Sequence, residues 1–243
     1  MSVLYLVRHG QASFGTDNYD RLSDLGKEQS RITGRFLATQ GVEPARVVHG
    51  EMLRQRQTAE GILEGLGRSV GSGTDAEDST GLGINAGPVQ DTRTLLTPEI
   101  DPGWNEYNAW ELTAALEETD PRAKHDSKIF QAELERGCAR WASGEHDEDY
   151  SESYRAFTDR VDAALDAACA AMGSGQSTIV VSSAGAIAWT AARLIGGDFD
   201  QWKAFNRVTI NTGITKIITG RGGTSLISFN DHGHQSPENA TYR

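Results

Sequence analysis

Residues 3–29 read VLYLVRHGQASFGTDNYDRLSDLGKEQ. The stretch opens on Val3 to Val7, a short apolar run rich in β-forming residues and without helical period. Such a run reads as a buried parallel strand, and it delivers Arg8, His9 and Gly10 to its C-terminal end. A histidine followed by glycine at a strand end predicts an exposed imidazole and a backbone open to close ligand approach. Neutral imidazole is a competent nucleophile toward phosphorus, and a phosphohistidine splits one hard displacement into two easier ones. The guanidinium of Arg8 beside it offers bidentate hydrogen bonds to phosphate oxygens. For Arg-His-Gly on its own, the competing reading is a structural histidine beside a salt-bridging arginine. After a loop, Ser23 is placed to N-cap a helix running to about Gln40.

Working outward, Val47-Val48 reads as a second short strand, and the apolar positions from about Met52 to Leu66 as a helix. Residues 67–88 are rich in Gly, Ser, Thr and Asp and predict a flexible surface loop without core or chemistry. From Trp104 to Met172 the pattern is helical. Tyr154, Phe157, Val161, Ala164, Leu165 and Ala168 recur at spacings of three and four, one apolar stripe. Ile179 to Val181 is another buried strand, and Ala186 to Ile195 its following helix. Ile210, Thr212, Ile214, Lys216 and Ile218 alternate with their neighbours as a half-exposed strand would, and Leu226 to Phe229 adds a last strand. Strands alternating with helices imply an α/β protein: a three-layer α/β/α sandwich on a mostly parallel sheet. A helical insertion over about 93–175 then forms a lobe covering the site, within a single domain spanning residues 1–243. In open sheets of this kind ligands bind beyond the carboxyl ends of the strands. Arg8-His9-Gly10, the segment around Arg54, and Ser182-Ser183 all fall at such ends.

Composition narrows the partners. The 243 residues carry a net charge of −11, which argues against a nucleic-acid or membrane-surface binder, since both need a basic face. An acidic chain can still hold a phosphate ester by concentrating arginines in one pocket. Cys138 and Cys169 form no CxxC pair and read as free thiols of a reducing cytosol. The N-terminal apolar run is too short for a signal peptide and is broken by Arg8. No stretch approaches the roughly 20 apolar residues that span a bilayer. The expectation is a cytoplasmic protein with no membrane partner.

Two motifs in order, the strand ending in RHG with its following L-S-x-x-G helix start and then MLRQRQTAE at 52–60, resemble the histidine phosphatase superfamily, its phosphoglycerate-mutase-like branch in particular. The likeness extends through WNEY (104–107), VVSSAG (180–185) and FNDHGH (229–234). The resemblance implies that His9 is a covalent nucleophile and that Arg8 and Arg54 are phosphate ligands, with Arg56 the alternative to Arg54. It implies a general acid at Glu106, to which Trp104, Tyr107 and Trp110 could give a partly apolar setting that raises its pKa. Glu111 and Glu99 are the alternatives. The implied substrate is a small phosphorylated molecule, with no cofactor and no metal.

The chain departs from the family's pattern in three places. Ser183 stands where a second histidine is usual, so the pocket loses a potential cation; its hydroxyl could still donate one hydrogen bond to a phosphate oxygen. Gly15 replaces a phosphate-contacting asparagine, with Asn18 nearby but out of register. The E-R-x-Y-G and G-x-N-K signatures of phosphoglycerate mutases are missing around Glu106. These departures leave three readings: a phosphomonoesterase, a phosphoglycerate-type mutase, and a pseudoenzyme that binds a phosphorylated ligand. His232 and His234 form an HxH pair without a carboxylate cluster, which points to a solvated or packed terminus rather than a metal site. The alternative is that one of them folds over the pocket in place of the absent histidine. His49, His125 and His146 read as surface or structural residues.

Overall fold

The computed structural model describes residues 1–13, 20–68 and 95–242. Gly15, Asn18 and most of the glycine-rich segment expected over 67–88 lie outside them. Val3 to Val7 belongs to β1 (Ser2–Arg8). The helix expected after Ser23 is α1 (Asp24–Thr39), and the Ser23 side chain accepts from the Gly26 amide as an N-cap. Next come β2 (Pro44–His49), α2 (Leu53–Gly65) and the short β3 (Glu99–Ile100). Between β3 and β4 (Ser177–Ser182) lie α3 (Ala109–Ala114), α4 (Ser127–Ala142) and α5 (Tyr154–Ala170). The chain closes with α6 (Ala184–Leu194), α7 (Phe199–Val208), β5 (Ile214–Gly220) and β6 (Gly223–Asp231).

The six strands form one sheet in the order β3-β2-β4-β1-β5-β6. The first four are mutually parallel, and β5 and β6 are antiparallel additions at the β1 side. Both faces are covered, which is why the parallel strands read as apolar runs rather than as alternations. Leu4, Leu6, Val48 and Val180 pack on one face with Phe157, Val161 and Leu165 of α5. Val7, Val47, Ile179 and Val181 pack on the other with Leu37 of α1 and Ala59, Ile62 and Leu63 of α2. Each fully buried aliphatic or aromatic side chain contributes about 1.5–3 kcal/mol, so the two cores hold the strand ends in fixed register. No helix among the described residues is long and apolar enough to cross a membrane.

Two sequence expectations need correction. The strand expected from Ile210 begins at Ile214. Residues 210–213 form a turn closed by the Gly213 amide on the Ile210 carbonyl, and Thr212 sits at φ +58°. Alternating apolar residues fit a buried turn as well as a strand, and Ile210 and Thr212 are both buried. Helix α7 was not expected at all; a capping box between Asp198 and Gln201 opens it.

Candidate active site

Strands β1 and β4 run in parallel with Arg8 opposite Ser182, so His9 and Ser183 leave the sheet side by side. All six backbone polar groups of Arg8-His9-Gly10 are bonded, as buried backbone requires. The Arg8 amide donates to the Gly213 carbonyl (3.2 Å), the His9 amide to the Ser182 carbonyl (2.9 Å), and the Thr212 amide to the Arg8 carbonyl (3.1 Å). The His9 carbonyl accepts from Asn211 Nδ2 at 3.0 Å, and the Gly10 amide donates to Thr58 Oγ1 at 3.0 Å. The Gly10 carbonyl accepts from the imidazole of His9, Nδ1 to oxygen 2.8 Å. A carbonyl can only accept, so Nδ1 carries the proton and Nε2 keeps its lone pair.

The imidazole is not exposed, as the His-Gly pair predicted, but only 7% accessible. The glycine serves a different contact: a Cβ on Gly10 would run into the backbone of Gly26 in the first turn of α1. That close approach explains a glycine both after His9 and three residues after Ser23. Burial holds the imidazole pKa well below its ordinary value, and the charges of Arg54 and then Arg8 push it the same way, against the Gly10 hydrogen bond. His9 is therefore neutral at neutral pH.

Arg54 Nε donates to the free Nε2 of His9 at 3.2 Å. Its other limb is held by Asp20, whose Oδ1 lies 2.7 Å from Nη1 while Oδ2 accepts the Leu53 amide at 2.8 Å. Asp20 thereby also caps the start of α2, where Met52 offers no side-chain acceptor. Arg56 points away and pairs loosely with Glu60 at 3.7 Å. Thr58 Oγ1 donates back to the Arg54 carbonyl at 2.7 Å, and Gln57 Oε1 accepts the Leu22 amide at 2.9 Å. Gln57 and Thr58 thus bracket the site rather than enter it. The Arg8 guanidinium donates from Nη1 to the carbonyls of Thr209 and Tyr242 (2.8 Å).

Glu106 lies in the loop between a 3-10 turn (Pro102–Trp104) and α3. Its Oε2 accepts the Gly185 amide at 2.9 Å in the first turn of α6, and Oε1 the Tyr107 amide at 3.2 Å. Gly185 has no room for a Cβ because the Glu106 carboxylate and the Tyr107 ring fill that place. Burial raises the carboxyl pKa, opposed by the Gly185 amide, Arg54, the Tyr107 amide and Arg8. Trp104 and Tyr107 are buried beside it, but Trp110 is 64% exposed and packs on Phe130 instead. The alternative acids sit elsewhere: Glu99 pairs with Arg46, and Glu111 accepts from Ser151.

Ser183 is buried, and its Oγ accepts from Gln55 Nε2 at 2.9 Å. Gln55 also donates to the Trp104 carbonyl at 3.2 Å. The space beside Ser183 is thus taken by a glutamine amide. His234 does not fold over the pocket. Its ring stacks on Phe36 of α1 (5.1 Å, 17°), and Nε2 lies 3.0 Å from Thr33 Oγ1. His232 is exposed, and His49 is buried at the end of β2. Among the described residues no group of three or more His, Cys, Asp or Glu could hold a metal ion.

Sequence reasoning missed Asp20, Gln55 and Asn211. Asp20 and Gln55 carry no local signal. Asn211 did have one, because Asn-Thr-Gly at 211–213 is turn chemistry inside a supposed strand.

The model of the histidine phosphatase superfamily (branch 1) matches residues 4–76 and 85–232. No curated protein matches the chain. Among solved structures, Bacillus stearothermophilus YhfR is similar with a TM-score of 0.64 at 16% identity, covering 96% of this chain and 99% of that one. A mutant phosphoserine phosphatase from Entamoeba histolytica in complex with phosphoserine has a TM-score of 0.60 at 18% identity, covering 97% and 100%. A phosphoglycerate mutase from Bacillus anthracis has a TM-score of 0.60 at 16% identity, covering 96% and 94%. At these identities the neighbours establish the fold.

Proposed function

This chain belongs to the histidine phosphatase superfamily, and we propose that it is a metal-independent phosphomonoesterase acting on a small phosphorylated substrate through a phosphohistidine on His9. The observation that carries this reading is the Nε2 lone pair of His9, 3.2 Å from Arg54 Nε. A phosphoryl group replacing that contact would meet nucleophile and cation together. Nε2 attacks phosphorus while the bond to the leaving oxygen breaks, and protonated Glu106 gives that oxygen its proton. Arg54 and Arg8 hold the non-bridging oxygens, and the Ser183 hydroxyl is proposed as a neutral donor to one of them. Water then attacks the phosphohistidine, losing its proton to Glu106, and inorganic phosphate leaves with Nε2 restored. The unpaired Cys138 and Cys169 support a cytoplasmic setting.

One observation favours a second reading. The Ser183 hydroxyl, at the usual place of a second histidine, is uncharged and already engaged by Gln55. That suits a pseudoenzyme which binds a phosphorylated ligand with little turnover. The phosphoglycerate-type mutase reading shares the first half-reaction but has no feature of its own here. Acid-labile labelling with an activated phosphodonor decides among them. The expected result is label on His9, absent in His9→Ala, with phosphate released to water. Stoichiometric label without release gives the second reading, and label persisting in His9→Ala refutes both.

A further inference from the structure

We propose that the C-terminal segment, residues 235–242, is a positioning element of the active site that acts on His9 through Asn211. The proposal rests on His9 being the nucleophile. Asn211 is fully buried and faces two ways. Its Nδ2 donates to the His9 carbonyl at 3.0 Å, while Oδ1 accepts from Thr241 Oγ1 at 2.9 Å. The Asn211 amide donates to the Thr241 carbonyl at 2.8 Å. Thr241 Oγ1 in turn accepts from Gln29 Nε2 at 2.9 Å, so this one hydroxyl relays between α1 and the turn. Gln29 also donates to the Asn239 carbonyl at 2.6 Å and accepts the Gln11 amide at 2.8 Å.

The neighbour of Asn211 gives the relay its purpose. Thr212 is β-branched, fully buried and at φ +58°, a left-handed conformation that such a residue adopts only when its surroundings impose it. Its hydroxyl donates to the Asn211 carbonyl at 2.7 Å and accepts from Gln235 Nε2 at 2.9 Å. The segment thus grips the 210–213 turn at two points, Gln235 on Thr212 and Thr241 on Asn211, and the end of β1 at a third, the Tyr242 carbonyl on the Arg8 guanidinium at 2.8 Å.

The consequence for His9 is geometric. The His9 carbonyl and the Gly10 amide belong to one peptide plane. Asn211 holds one edge of it and Thr58 the other. The Gly10 carbonyl, which fixes the imidazole through Nδ1, lies in the next peptide plane, whose Gln11 amide is held by Gln29, itself a donor to Thr241. Releasing the Asn211 edge lets the plane tilt and the imidazole turn, with Arg54 and Glu106 untouched. Misplacement of this kind lowers the rate of the chemical step more than it weakens binding.

Thr241→Val removes the relaying hydroxyl at nearly constant volume, and Thr241→Ser keeps it. The test is kcat and KM on p-nitrophenyl phosphate, with thermal melting and ¹⁵N NMR of the His9 imidazole on the full chain. Thr241→Val is expected to lower kcat about tenfold at near-constant KM and to reduce the Nδ1-protonated signal. Thr241→Ser is expected to restore both. A wild-type kcat with an unchanged imidazole signal in Thr241→Val overturns the proposal. So does equal loss of melting temperature and activity in both variants, which would mark a folding role. Should the wild type turn over no phosphoester, the phosphatase reading falls, and the imidazole signal still decides this one.

Discussion

Replacing Ser183 by histidine would restore the family's usual residue, yet the structure places Gln55 in its way. Ser183 Oγ and Gln55 Nε2 are already at hydrogen-bond distance, 2.9 Å, and both residues are at most 1% accessible. An imidazole added there overpacks a closed site, at a cost of about 1–3 kcal/mol. Gln55→Ala alone leaves the Ser183 hydroxyl without its donor, again about 1–3 kcal/mol, while the Trp104 carbonyl keeps the Ser182 hydroxyl at 2.7 Å. Part of that is offset because Gln55 Oε1 is itself buried without a hydrogen-bond partner among the described residues. The double variant puts the imidazole into the space the amide vacates, so the two costs should not add. The coupling should favour the double variant by about 1–3 kcal/mol. A charged donor to phosphate is worth about 1.5–3 kcal/mol against about 1 for a neutral one, so kcat/KM on an alkyl phosphate should rise roughly two- to thirty-fold in the double variant and fall in Ser183→His. Urea unfolding of the four proteins gives the coupling, and steady-state kinetics the activity. Additive stabilities, or a Ser183→His variant as stable and active as the double, would refute the claim that Gln55 fills this space.

Arg54→Ala should lower kcat/KM about 10- to 100-fold or more, since a charge-assisted hydrogen bond contributes about 1.5–3 kcal/mol. Arg56→Ala should stay near wild type, and equal effects would contradict the contact between Arg54 and His9. Glu106→Gln should slow alkyl phosphates far more than aryl phosphates with good leaving groups, because only a poor leaving group needs the proton; a uniform loss assigns Glu106 another role. The pH profile follows from the same groups. Activity rises as His9 loses its proton, well below the ordinary imidazole range, and falls as Glu106 loses its own, above the ordinary carboxylate value. Alkyl phosphates should therefore show an acidic optimum, with no alkaline decline for activated aryl esters. An acid limb near the free imidazole pKa would contradict the burial of His9.

What was legible in the sequence is what short-range physics determines. The apolar run of β1, the Ser23 cap and the stripe of α5 are local patterns, and each element stands where its pattern placed it. The preference for Arg54 over Arg56 follows from the motif spacing and also from helical period. Residues 54 and 58 share a face of α2, whereas residue 56 lies nearly opposite; accordingly Arg54 and Thr58 both reach the His9-Gly10 backbone or ring. The turn at 210–213 was illegible to periodicity because it buries Ile210 and Thr212 through long-range contacts, from Asn230 to the Ile210 amide and from Gln235 to Thr212. Ser183 shows the same limit within the site. Its identity marks a missing histidine, but the consequence depends on Gln55, 128 positions away in sequence. Gln55 lies on the first turn of another element, and nothing in its own neighbourhood distinguishes it from a solvated helix residue. Whether a lost side chain leaves a hole or a filled space is decided by which element packs opposite, so the departure was readable and its compensation was not.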